Sequence, residues 1–145
     1  MIWKRRPAAE WTLFAEALVA LTATRVALFC APLPAVRRRV RSFLRAGRVL
    51  PADRKLPIVR VLRCCAAAAR YAPVGGTCLA EALVAQALLD RHGYATQLKI
   101  GVRRPAAGAF AAHAWLEREG AIVVGGPEAV TAQYRPLPEV ERLIA

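Results

Sequence analysis

The stretch Gly75–Leu83 reads GGTCLAEAL and places a cysteine, Cys78, where a helix is predicted to begin. Further along, Phe110–Glu117 reads FAAHAWLE and places His113 inside a predicted strand. A helix N-terminus favours a thiolate, because its unpaired N–H groups and dipole stabilise negative charge and can later bind an oxyanion. A strand packed on that helix gives an imidazole base a rigid mount. The pair therefore predicts nucleophilic catalysis, with Cys78 as nucleophile and His113 as base.

The segment around these two residues predicts a helix followed by a small sheet. His113 follows Cys78 by 35 residues, which is enough for a helix, a turn, one strand, a loop and half of a second strand. The helix is predicted from Cys78 to Arg91, with an apolar pattern wide enough for a central position, and Gly93 suits its left-handed cap. Alternation and turn residues predict three antiparallel strands, at 96–102, 109–117 and 121–124.

The amino-terminal half predicts helices, so the whole chain is expected to have an α+β fold. Prolines at 32 and 34 should end a first helix, and Gly47 should close a second one. The three predicted helices are 10–31, 35–46 and 57–71. We predict a single domain over 1–145, in three parts: a helical lead-in at 1–70, a catalytic core at 71–126 and a tail at 127–145. The tail is irregular apart from a helical turn at 138–144.

The remaining cysteines and the second histidine predict structural roles. Cys30 lies in an apolar run, and Cys64 and Cys65 lie in an alanine-rich helix, so all three are expected to pack in the interior. His92 falls at a helix end and is expected to face water. Adjacent cysteines and only two histidines do not suit a tetrahedral zinc site, so neither a metal nor another cofactor is predicted.

The charge of the chain favours an acidic partner. It carries 22 basic and 10 acidic residues, a net charge of +12, and its densest basic run is Arg37–Arg41. Such a run can be a solvated helix face or can bind nucleic acid, but no aromatic interleaving supports nucleic acid. An acidic peptide or acidic protein, steered by the charge, is therefore preferred. A non-enzymatic adaptor binding nucleic acid or an anionic membrane remains the alternative.

The apolar stretch from Trp11 to Leu33 could be mistaken for a membrane span or a targeting signal. Glu16 and Arg25 interrupt it, and no small-residue cleavage site clearly follows. We therefore predict a helix that packs on the domain or on a partner, without a stable membrane span. A reactive thiol further favours the reducing cytoplasm.

Several of these motifs together resemble a known family. The run from Tyr71 to Val102, with CLAEAL at Cys78–Leu83 and RHGY at Arg91–Tyr94, followed by Phe110–Glu117, resembles the transglutaminase-like cysteine peptidases of lasso peptide biosynthesis. The resemblance covers residues 71–126, and EAL at 16–18 and ATRVA at 23–27 are similar to the helical lead-in of that family.

The resemblance implies a cysteine peptidase that removes the leader from a ribosomally made precursor peptide. A separate ATP-dependent cyclase would then close the macrolactam ring, and a separate leader-recognition protein would capture the precursor and dock on the amino-terminal helices. Another acyl transfer at the same site, such as amide exchange onto an amine, stays open because Cys78 and His113 do not choose the second nucleophile.

One feature of the family is missing from its expected place. The resemblance implies a Cys-His-Asp triad with the acid on the strand after the histidine, where this chain reads Val123-Val124-Gly125-Gly126. The acid must then come from elsewhere, be replaced by a backbone carbonyl, or be absent. Glu117 is the best local substitute, because strand alternation puts His113 and Glu117 on one face. A solvated carboxylate at a strand end is an equally good interpretation of Glu117.

Overall fold

A computed structural model describes residues 7–73, 77–104, 108, 110–138 and 142. Its elements, in chain order, are α1 (Ala8–Cys30), α2 (Leu33–Phe43), a 3₁₀ turn (Ala52–Arg54), α3 (Ile58–Tyr71), α4 (Cys78–Arg91), β1 (Gln97–Arg103), β2 (Ala111–Arg118), β3 (Ala121–Val124), α5 (Glu128–Thr131) and β4 (Arg135–Pro136). The long helices precede a small antiparallel sheet. The predicted α+β fold is confirmed.

The ends of α1 and α2 show which residues stop a helix here. Ala31 is extended, with φ −144° and ψ 154°, as expected for a residue before proline. The second helix ends at Phe43, before the predicted limit of 46. Arg45 takes the left-handed conformation with φ 55°, and the N–H of Ala46 donates to the carbonyl of Arg41 at 2.8 Å. This is a Schellman motif, so Arg45 and not Gly47 closes the helix.

Helix α4 lies at the centre of the fold, as its apolar pattern predicts. It packs against α1, α2 and α3 and against β1, β2 and β3. Its first turn is capped by Thr77, whose Oγ1 accepts the N–H of Ala80 at 3.2 Å. Near its other end, Arg91 Nη2 lies 2.5 Å from Glu16 Oε2 of α1, and Gly93 follows with φ 85°. Cap, ion pair and packing together fix where α4 begins and ends.

The sheet has the strand order β3-β2-β1-β4. The three predicted strands are confirmed within two residues, and β1 pairs with β2 so that Gly101 lies opposite His113. The edge strand β4 and the short helix α5 come from the tail, which the sequence pattern leaves irregular. The helical turn predicted at 138–144 falls mostly outside the described residues.

Two side chains lie differently from the sequence expectation. His92 is only 3 % exposed, because the end of α4 is covered by the chain after α2, where Leu50 N–H donates to the carbonyl of Arg91 at 2.8 Å. Burial lowers the pKa of His92, whose Nδ1 lies 2.8 Å from the carbonyl of Leu88. Cys30 is exposed, whereas Cys64 and Cys65 are buried as predicted.

Helix α1 is long and apolar enough to cross a membrane by length and composition alone. An 18-residue stretch of this helix has a mean hydropathy of 1.7, and 28 % of that stretch is buried within the protein. Core helices of water-soluble proteins and signal sequences share this length and composition.

Removing the cap of α4 should destabilise the protein measurably. Thr77→Ala deletes the oxygen that accepts the Ala80 N–H, and we expect the free energy of unfolding to fall by about 1 kcal/mol in urea denaturation. Thr77→Ser retains the acceptor and should stay close to wild type. Equal stability of Thr77→Ala and wild type would show that this cap contributes nothing.

Candidate active site

Cys78 is the first residue of α4, so the predicted helix start at this cysteine is confirmed, while its role as nucleophile stays a prediction. Its side chain is half-buried and its thiol is free. An α-helix leaves its first backbone N–H groups without intrahelical partners, and Thr77 accepts that of Ala80. The helix start therefore offers N–H groups and a favourable dipole to negative charge at Cys78.

The other three cysteines lie either in the packed interior or at the surface. The Cys64 S–H donates to the carbonyl of Glu10 at 3.7 Å. Burial raises the pKa of the Cys65 thiol to about 12, which keeps it protonated at neutral pH. Cys30 is the last residue of α1 and is exposed. In the described part of the chain, no group of three or more His, Cys, Asp or Glu side chains is arranged to hold a metal ion.

His113 lies on β2 with its imidazole held on several sides. Its Nε2 is 2.6 Å from the carbonyl oxygen of Gly125. Since a carbonyl only accepts, Nε2 carries a proton, and in the neutral ring Nδ1 then keeps its lone pair. The ring stacks on Trp115 at a centroid distance of 5.9 Å and contacts the Tyr134 ring at 5.1 Å. These contacts fix one tautomer and one orientation, and Nδ1 is left as the basic atom.

Gly125 stands where the family resemblance expects an acid, and its backbone carbonyl is the hydrogen-bond partner of His113 Nε2. Its φ is +117°, and a Cβ added there would lie 2.4 Å from Trp115 Cβ. A side chain is therefore excluded by both conformation and space. Among the three possibilities left by the sequence, the structure shows a backbone carbonyl at Nε2.

The structure pairs Glu117 with Trp115 instead of His113. Trp115 Nε1 donates to Glu117 Oε1 at 2.9 Å. The expected shared face is observed, but residues four apart on a strand are separated by about 13 Å, so Trp115 lies between the imidazole and the carboxylate. The Glu117 carboxylate therefore has Trp115 and not His113 as its hydrogen-bond partner. Its role as the third catalytic residue stays a prediction.

Glu81 is a further acidic residue close to His113. It lies one turn after Cys78 on the same face of α4. Burial raises the pKa of the Glu81 carboxyl, and the charge of His113 opposes that rise. The sequence signal for this residue is a lone acid in the first turn, followed by eight uncharged residues.

A pocket of about 220 Å³ lies between helices α1, α3 and α4 and strand β3. Helix α4 contributes Glu81 and Val84 to its lining, and β3 contributes Val123 and Val124, with Gly125 directly after them. Glu81, in the first turn of α4, and Gly125, the acceptor of the His113 hydrogen bond, therefore line one cleft.

Two features define this site. Cys78 lies at the start of α4, and the imidazole of His113 on β2 is held by the carbonyl of Gly125, directly after β3. Residues 16–139 match the transglutaminase-like superfamily. The chain belongs to that superfamily. Members of the transglutaminase-like superfamily are generally cysteine-dependent enzymes, and the match includes Cys78, His113 and Gly125. No curated protein and no solved structure matches the chain.

The two neighbouring glycines should differ sharply when substituted. Gly125→Ala introduces both positive-φ strain and a clash with Trp115, whereas Gly126 has φ +94° and nothing within 4 Å of an added Cβ. We expect Gly125→Ala to lower the free energy of unfolding by about 1–3 kcal/mol more than Gly126→Ala, in urea denaturation. Equal losses would show that the close approach at Gly125 is not required.

Proposed function

We propose that this protein is a cysteine peptidase that removes the leader from a ribosomally made lasso peptide precursor in the cytoplasm. The observation that carries the proposal is the 2.6 Å contact between His113 Nε2 and the carbonyl oxygen of Gly125. It assigns the proton to Nε2 and leaves Nδ1 as a base. Cys78 at the start of α4 supplies the nucleophile. Membership of the transglutaminase-like superfamily and the motifs quoted from residues 71–126 support the same chemistry.

The proposed reaction is thiol acyl transfer to water. Nδ1 of His113 takes the proton from Sγ of Cys78, and the thiolate attacks the scissile carbonyl. The backbone N–H of Cys78 donates to the oxyanion. The imidazolium then protonates the departing amine, which is the new N-terminus of the core peptide. Water, deprotonated by His113, hydrolyses the thioester and releases the leader with a free carboxylate.

Substitution of either reacting side chain should abolish leader removal. We expect Cys78→Ala and His113→Ala each to lower the cleavage rate of a leader-bearing precursor by at least about 1000-fold, because the two groups act as a unit. Mass spectrometry of the released leader measures the rate. Cys30→Ala is the matched control, since it removes an exposed thiol at the far end of α1.

Two results would contradict this proposal. Cleavage retained by folded Cys78→Ala protein would exclude the nucleophile, with folding checked by circular dichroism. Release of the leader as an amide when an amine is added, with little free acid formed, would identify the protein as an amine-accepting acyl transferase.

The surface of α1 supports a separate leader-recognition protein as a partner. Apolar side chains are exposed along its whole length, at intervals of three or four residues, and we call them the α1 stripe: Trp11, Ala15, Val19, Ala23, Val26 and Phe29. Phe29 is 85 % exposed. The stripe extends over about 28 Å at 1.5 Å per residue, and exposed apolar patches of this kind are typical of docking sites. The cyclase would act afterwards on the released core peptide.

Leader removal should then depend on that partner. Adding the recognition protein should accelerate cleavage at least about 10-fold, because docking raises the effective concentration of the scissile bond near Cys78. Val26→Ser and Phe29→Ser should reduce the acceleration without changing the slow reaction of the isolated protein. Val49→Ser is the matched control, because Val49 and Val26 are both 57 % exposed. Efficient cleavage by the isolated chain, unchanged by the added protein, would rule out the dependence.

A further inference from the structure

Glu81 is an acidic side chain in a pocket that is otherwise nearly all apolar. Around it lie side chains from three other elements. They are Leu21 of α1, Leu62, Cys65 and Ala66 of α3, and Val123 and Val124 of β3. Burial raises the pKa of Glu81, so keeping this carboxylate ionised is unfavourable for the folded state. A hydrophobic residue would fit such surroundings better.

The charged and titratable groups that face Glu81 are few. Helix α1 and strand β3 line the pocket with apolar side chains, and α3 contributes the thiol of Cys65, which its burial keeps neutral. Strand β2 contributes His113, the group whose charge acts on Glu81. Cys78 lies on the same helix, one turn earlier. Gly125, whose carbonyl accepts from His113 Nε2, lines the same pocket as Glu81. In the described part of the chain, His113 is therefore the base beside which the Glu81 carboxylate is placed.

We propose that Glu81 is a positioning residue for His113, whose carboxylate supplies the negative charge that the Gly125 carbonyl lacks. When the proton moves from Sγ of Cys78 to Nδ1 of His113, a thiolate and an imidazolium form. Glu81 stabilises the imidazolium through its charge, and it neither gains nor loses a proton in the step. The inference rests on the proposed Cys78–His113 chemistry.

An ionised Glu81 lowers the stability of the folded state in a pH-dependent way, which a side chain that only fills space would not do. Because the folded state raises the pKa of Glu81, the carboxylate costs stability at neutral pH, and this cost disappears as pH falls below the unfolded pKa of about 4.3. Glu81→Gln should therefore unfold at a higher temperature than wild type at pH 7. At pH 4 and below, the difference should shrink toward zero.

Alkylation of Cys78 by iodoacetamide tests the proposal without any peptide substrate. Peptide mass spectrometry gives the rate at each cysteine, and the exposed Cys30 serves as a reference within the same sample. We expect Glu81→Gln to slow alkylation of Cys78 at least about 3-fold at pH 7, the equivalent of half a pH unit. At pH 10 the difference should vanish, because thiols then ionise without an imidazolium.

Two further variants separate charge from shape. Glu81→Asp keeps the charge and should recover part of the rate at pH 7. Glu119→Gln removes a carboxylate from the exposed turn between β2 and β3, where the Glu119 side chain is 83 % exposed, and should match wild type throughout.

The possible results separate the role of Glu81 from the proposed Cys78–His113 chemistry. Fast alkylation of Cys78 that Glu81→Gln leaves unchanged would overturn the role of Glu81 alone. A rate that falls equally at pH 7 and pH 10, together with a lower melting temperature, would show a packing role and would also overturn it. Cys78 reacting no faster than Cys30 in wild type would instead overturn the proposed Cys78–His113 chemistry.

Discussion

Burial of helix α4 holds the candidate site in place. Leu83, Leu88 and Leu89 are almost completely inaccessible to solvent, and each such side chain contributes on the order of 2 kcal/mol through burial. Packing of this density allows little movement along the helix axis. The first turn therefore emerges at a fixed point beside the sheet, where Cys78 is only half-buried. The same helix builds the core and presents the thiol.

The contact between His113 and Gly125 separates two tasks that a carboxylate performs together. A carboxylate beside a catalytic histidine both fixes the tautomer and balances the positive charge. A backbone carbonyl can fix the tautomer, but it carries only a partial charge. The space occupied by Trp115 explains the substitution, because no side chain fits at Gly125. Any balancing charge in this site must then come from another element than the strand that follows the histidine.

Much of the fold could be predicted from local sequence, because local signals and tertiary packing agree. The bounds of α4 follow from Thr77, the apolar pattern and Gly93, and all three act within a few residues of the helix. The end of α2 was harder to predict, since Arg45 adopts a left-handed conformation that glycine would adopt more easily. Burial of His92 depends on the chain after α2 and has no local signal.

The candidate site, too, could be predicted only where local sequence carries the signal. Cys78 and His113 can be located from sequence because each has a local setting, a helix start and a strand. The family resemblance indicates the segment 123–126 as the place of the His113 partner. The nature of the partner stayed open, because a backbone carbonyl has no residue signature and Gly125 approaches only through tertiary folding. Strand alternation puts Glu117 on the same face as His113, but it also puts Trp115 on that face between them. A shared face therefore does not by itself bring the carboxylate to the imidazole. Edge strand β4 likewise depends on pairing with β1 and not on its own residues.

The exposed α1 stripe, on a chain with a net charge of +12, has a consequence for how the protein behaves in solution. Apolar stripes on two copies attract each other, but like net charges repel, and the repulsion extends over a Debye length of about 8 Å at physiological ionic strength. Dilute salt therefore favours dispersed molecules, while concentrated salt removes the repulsion and leaves the apolar attraction. Ionic strength becomes the variable that decides between a monodisperse sample and self-association.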